Sequence, residues 1–138
     1  MYEQLRTSLT YQTSKNMKKN NEIKPKISAN DSLRHHNGTE HYYNYKRGLK
    51  LTDGSRELAE KFECFWLLDV IMSHQNQVRN EEFQQWKLEK KPNDKAIVTC
   101  DDGNNRLILT QTISYTDFAA DSATLWVENS VIMLPSER

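Results

Sequence analysis

Cysteine is scarce in this chain, with two residues in 138, and proline and glycine number only three and four. Cys64 and Cys100 stand far apart, and neither belongs to a Cys-x-x-Cys motif. That spacing excludes zinc-ribbon and thioredoxin-type readings and points to two small buried hydrophobes of a reduced, cytoplasmic protein. Long apolar runs are missing too. The longest, "FWLLDVIM", is interrupted by Asp69 and falls far short of the roughly 20 residues that span a bilayer. No basic-then-apolar leader precedes it, so no membrane partner is expected. The chain also lacks a Gly-rich phosphate loop, a Gly-x-Ser-x-Gly elbow and a cysteine paired with histidine in a nucleophile pattern. These absences favour a binding or structural role over the common catalytic chemistries, with no cofactor.

Net charge is zero, 19 basic residues against 19 acidic, but it is unevenly spread. Residues 1–50 hold ten Lys and Arg against four Asp and Glu, and residues 51–138 hold nine against fifteen. A basic arm on an acidic body suits a self-complementary surface or an anionic partner. Residues 1–30, rich in Lys, Asn, Ser and Thr, carry too little apolar surface to offset ordering entropy and read as a weakly ordered arm. Residues 31–138 read as one domain. Met17, followed by "KKNN", is an alternative start.

Within the domain, "ANDSLRHHNG" offers Asn30, Asp31 or Ser32 as N-caps and Gly38 as a stop for a short helix. "HYYNY" and "RGLKL" predict a hairpin turning at Lys46-Arg47-Gly48. From a cap at Thr52 or Asp53, Leu58, Ala59, Phe62, Phe65, Trp66, Val70 and Ile71 recur at helical spacing, predicting one long helix that ends near "SHQNQ". Strands follow: "EFQQWKLEK", then "AIVTC" and "RLILTQTI" around an Asp-Gly-Asn-Asn turn, then "TLWVEN" and "VIMLP". The connector "YTDFAADSA" is expected to tuck Tyr115 and Phe118 inward. The sum is an α+β domain, an antiparallel meander of four or five strands with one long helix across a face. The last hairpin offers an edge for pairing with a second copy, a possible homodimer.

Three of the four histidines crowd the stretch around "GTEHYY". His35, His36 and His41 are the metal candidates, but the Asn37-Gly38 break separates His36 from Glu40, and the order is not His-Glu-x-x-His, so no metal is expected. Asp69 is expected to be buried and to need a partner, which the tyrosine hydroxyls, His41, Arg47 or the backbone of the connector could supply. A hydrolase or nuclease reading would combine Glu40, His41, Asp69 and Asp117. Nucleic-acid binding would use Lys46 and Arg47 for phosphate and Tyr42, Tyr43 and Tyr45 for stacking, aided by the basic arm. "CDDGNN" faintly echoes a calcium loop but lacks the downstream Glu and reads as a hairpin turn.

The segments "GTEHYY", "LTDGSRELAEKFECFWLLD", "FQQWKL", "TCDDGN", "YTDF" and "LWVENSVIMLPSE" occur in one order across residues 33–137. In these the chain resembles the family catalogued as domain of unknown function 6876, small uncharacterised proteins of bacteria, plasmids and phages. The resemblance implies a compact stand-alone domain, often carried on mobile elements, with no established activity to transfer. It implies a non-enzymatic protein that acts by binding another protein. Cys64 stands where the family pattern suggests a small residue, which makes it a packing variant.

Overall fold

The computed structural model describes residues 25–138. The expected basic arm lies mostly in residues 1–24, outside the described residues, as does the alternative start at Met17. Seven strands form one mixed sheet in the order β1-β2-β7-β6-β3-β4-β5. They are β1 (Tyr42–Asn44), β2 (Lys50–Thr52), β3 (Phe83–Lys91), β4 (Lys95–Asp101), β5 (Leu107–Ile113), β6 (Ser122–Glu128) and β7 (Val131–Met133). The expected hairpins β1-β2, β4-β5 and β6-β7 all form. The sheet is nonetheless larger than a four- or five-stranded meander, and it is not purely antiparallel. β2 returns beside β7 in parallel, which joins the N-terminal hairpin to the rest. This pairing covers the last hairpin's outer strand, so the edge expected there is not free.

The expected long helix is two, α1 (Asp53–Lys61) and α2 (Phe65–Ser73), followed by the single turn α3 (Gln75–Val78). Thr52 caps α1 as expected, its hydroxyl accepting from Ser55 N–H while the Ser55 hydroxyl accepts from Thr52 N–H. The break has a local cause. Glu63 takes φ +52°, Cys64 N–H returns to Ala59 O at 2.9 Å, and Glu63 N–H reaches Glu60 O at 3.4 Å. These are the two bonds of a Schellman stop, which closes a helix on a left-handed residue and here uses glutamate where glycine is usual. Apolar spacing of three and four continues across the break, so periodicity alone cannot reveal it. No helix among the described residues is long and apolar enough to cross a membrane.

Strand alternation builds one core. Trp86 and Leu88 of β3, Val98 and Cys100 of β4, Leu125 and Val127 of β6 and Ile132 of β7 face Leu58, Leu67, Leu68, Ile71 and Val78 of the helices. Each such large side chain contributes roughly 1.5–3 kcal/mol through burial. Phe118 is buried as expected, but Tyr115 is 69% exposed, because the connector leaves the sheet before it turns inward. The N-terminal helix is a 3-10 turn, Ala29–Leu33, capped by Ser28, one residue-type match but two positions earlier than the first cap expected. Asn30 then works as a surrogate strand: its side-chain amide donates to Thr124 O at 2.9 Å and accepts from Thr124 N–H at 2.8 Å. Residues 27–30 are thereby tied to β6 beyond the end of β7.

Candidate functional site

Tyr43 of β1 and Tyr45, still extended one residue past the strand's end, are two apart, so their side chains share a face, and that face meets the helices. Tyr43 donates its hydroxyl to Asp53 Oδ1 at 2.9 Å, at the start of α1, and Tyr45 donates to Asp69 Oδ1 at 2.6 Å, within α2. Each hydroxyl pins the edge hairpin to a different helix. Asp53 also accepts the backbone N–H of Glu40 at 2.9 Å, and Thr39 Oγ1 accepts Asp53 N–H at 2.8 Å, so "GTEHYY" is laced to the α1 N-terminus. The Glu40 amide, then the Tyr43 hydroxyl, holds the Asp53 carboxyl below the usual carboxylate range. For Asp69 the Tyr45 hydroxyl does the same, assisted by Lys46 at 3.2 Å. Burial, then Asp69, pushes the Tyr45 phenol up.

Of the partners considered for Asp69, a tyrosine hydroxyl is the one it takes, and Lys46 supplies the charge. His41 lies instead 3.7 Å from Asp53, and Arg47 occupies the left-handed turn at φ +56°. Asp69 is also not sealed in: its side chain is 41% exposed, on the same helix as partly exposed Phe65, while Leu67, Leu68 and Ile71 take the buried face. The hydrolase candidates are therefore distributed. His41 goes to Asp53, Asp69 to Tyr45 and Lys46, Glu40 contributes its backbone, and exposed Asp117 lines a separate cleft with Trp66, Ile113 and Tyr115. Tyr42 is exposed on the opposite face of β1 from Tyr43 and Tyr45, so the three rings do not form one stacking surface.

His35 and His36 do find a carboxylate, and it is one that sequence spacing did not connect to them. His36 Nε2 lies 2.6 Å from Glu57 Oε1, and His35 Nε2 lies 3.8 Å from the same oxygen. Glu57 sits on α1, 21 residues beyond His36. His36 first, with lesser help from His35 and Lys61, holds its carboxyl below the usual range. The fourth histidine, His74, also escaped notice in the sequence. It lies 2.6 Å from Gln111 Oε1 of β5 and stacks on Trp86.

Both cysteines are free and buried, and burial pushes each thiol up to about 12, which removes the thiolate needed for nucleophilic work. "CDDGNN" is the expected turn: Asp101 and Asp102 accept the N–H groups of Gly103 and Asn104.

The sheet has two lateral edges. One is β1, three residues long with Lys50 beside it. The other is β5, seven residues with no charge, "LILTQTI". Hydrogen-bond alternation fixes which of its backbone groups are free. Lys90 N–H bonds Asp121 O on the β6 side, while Thr124 turns its backbone away from β3 toward Asn30. The even residues of β3 therefore serve β6 and the odd ones serve β4. Carried through the β3-β4 and β4-β5 registers, Leu109, Gln111 and Ile113 serve β4, and Thr110 and Thr112 point their N–H and C=O groups outward.

No curated protein and no solved structure matches this chain. One family model does, over residues 27–138, beginning where Ile27 and Ser28 join the sheet at Asp121 and Ser122. The chain belongs to the family of unknown function DUF6876.

Proposed function

We propose that this chain is a non-enzymatic interaction protein of the cytoplasm that acts by binding, and that its first partner is a second copy of itself, paired edge to edge through β5. The observation that carries this is the backbone of Thr110 and Thr112, unpaired among the described residues, in a long strand without a single charge. Such an edge is a template for another strand, and proteins that avoid pairing usually block it with lysine, proline or shortness. Two large apolar residues exposed at the ends of this edge, Leu107 at 60% and Tyr115 at 69%, point the same way. The dispersal of His41, Glu40, Asp69 and Asp117 supports binding over catalysis, and the free buried thiols support a reducing compartment.

The strand is self-complementary in one register. A two-fold axis through Gln111 sets Thr110 against the partner copy's Thr112, where each pair exchanges two backbone hydrogen bonds. Leu109 then meets the second copy's Ile113 on the helix side, apolar against apolar, and no like charges meet. The result doubles the sheet and keeps its uncovered face continuous.

Sedimentation velocity on the full chain across a wide concentration range tests this. A monomer-dimer equilibrium is expected, abolished by Thr110→Pro, which removes an outward N–H that bonds nothing among the described residues. A double variant, Thr110→Lys with Thr112→Lys, sets lysine against lysine and should also give monomers with unchanged circular dichroism. A wild type monomeric at every concentration, or a dimer that survives both changes, would overturn the proposal.

A further inference from the structure

We infer that His35, His36 and Glu57 form a binding site for a zinc-class divalent ion. Their ligand atoms, two imidazole nitrogens and one carboxylate oxygen, all lie within 4.8 Å of one another. Two imidazoles and a carboxylate are a donor set that zinc takes, with metal-ligand distances of about 2.0–2.2 Å. Tetrahedral ligands at that radius stand about 3.4 Å apart. The present separations from Glu57 Oε1, 2.6 Å to His36 and 3.8 Å to His35, bracket that value. Seating an ion therefore needs one contact to open and the other to close by under an ångström.

The backbone brings the ligands together without strain in either element. The 3-10 turn Ala29–Leu33 ends just before them, and His36 N–H bonds Leu33 O at 3.1 Å, which turns consecutive imidazoles toward α1. Their ring centroids are 4.3 Å apart at a 38° tilt, close enough for both to face one point. Glu57 approaches from α1, a rigid helix capped at Thr52. His35 is exposed, at 62%, which leaves the remaining coordination position open to water. The ion would clamp the turn after the N-terminal segment onto α1, far in the fold from the β5 edge, so this site stands independently of self-pairing.

The hydrogen bond between His36 and Glu57 also has a plain structural use as a clasp. Lys61 separates the two roles. It stands one helical turn beyond Glu57, and its charge opposes a cation at Glu57.

The test is isothermal titration of Zn²⁺ into the full chain, free of any affinity tag, in chelator-treated buffer. One equivalent is expected to bind saturably. His35→Ala and Glu57→Gln should each weaken binding at least about tenfold, since even outer partners of metal ligands cost about 10–100-fold. Lys61→Ala should tighten it about two- to fivefold, a gain that misfolding cannot mimic. Co²⁺ at the same site should give the visible d–d bands of a tetrahedral centre. Absence of saturable Zn²⁺ binding would overturn the inference. So would equal affinity in wild type, His35→Ala and Glu57→Gln.

Discussion

Tyr45 donates its hydroxyl to Asp69 Oδ1 at 2.6 Å, joining the edge strand β1 to the second helix across 24 residues of sequence. Lys46 reaches the same oxygen at 3.2 Å, so the carboxylate is satisfied by two neighbours on one turn. Removing the hydroxyl leaves a half-exposed carboxylate that water can serve. Tyr45→Phe should therefore cost only about 1 kcal/mol in chemical denaturation. Asp69→Asn, which keeps an acceptor and loses the charge, should cost a similar amount. A loss beyond about 3 kcal/mol for either would mean that the pair is more enclosed than its exposure indicates.

The same contacts give stability a pH dependence at both ends. Asp53, Glu57 and Asp69 have carboxyls held below their ordinary values near 4, so the folded state binds their protons less readily than the unfolded chain. Their contribution is full above about pH 5 and is lost as pH falls through the folded values. Tyr45 is shifted the opposite way, upward, so its contribution is present below its ordinary value near 10 and lost as the solution becomes more alkaline. Urea midpoints across pH should fall on the acid side, and Asp69→Asn should flatten that fall in part. A midpoint unchanged between pH 6 and pH 3 contradicts this reading.

Glu63 holds a left-handed conformation that costs a residue with a side chain roughly 1 kcal/mol. Its side chain is exposed and bonds nothing among the described residues. Glu63→Gly should raise stability by up to about 1 kcal/mol, whereas Glu63→Val, β-branched, should lower it. Thermal unfolding of the two variants checks the sign.

Glu137 reaches back to the first turn of α1, accepting Gly54 N–H at 2.9 Å and the Thr52 hydroxyl at 2.6 Å. The carboxylate satisfies one of the amides that a helix start leaves free and sits at the favourable end of its dipole. A Cβ on Gly54 would stand 2.7 Å from both Glu137 Cδ and Leu134 Cδ1, so Gly54→Ala must push the cap aside. Both Gly54→Ala and Glu137→Ala should destabilise by about 1–2 kcal/mol. The double variant should cost less than their sum, because each removes the same contact.

Local signals carried the elements and lost what joins them. Alternation and turn residues revealed the three hairpins, and capping chemistry revealed the start at Thr52, because each is written within a few residues. The parallel seam between β2 and β7 joins residues some 80 apart, and no short pattern encodes it. The split helix was hidden because its stop uses glutamate at a place where glycine would have announced it. The histidine cluster was legible as composition but not as geometry. Local spacing offers His36 only Glu40, cut off from it by the glycine break, while the fold sets it beside Glu57. The need of Asp69 for a hydroxyl is legible in its apolar surroundings, but its exposure is not, because apolar neighbours in sequence point to burial while the fold turns only one face of α2 inward.

Amide hydrogen exchange along β5 tests self-pairing most directly. In a single copy, Leu109, Gln111 and Ile113 donate to β4 and exchange slowly, while Thr110 and Thr112 point outward and exchange fast. Raising the concentration should slow Thr110 and Thr112 to match their neighbours, and the Thr110→Lys, Thr112→Lys variant should keep both positions fast throughout. If Thr110 and Thr112 exchange fast in the wild type at every concentration, the β5 edge is solvated and the proposed partner does not bind there.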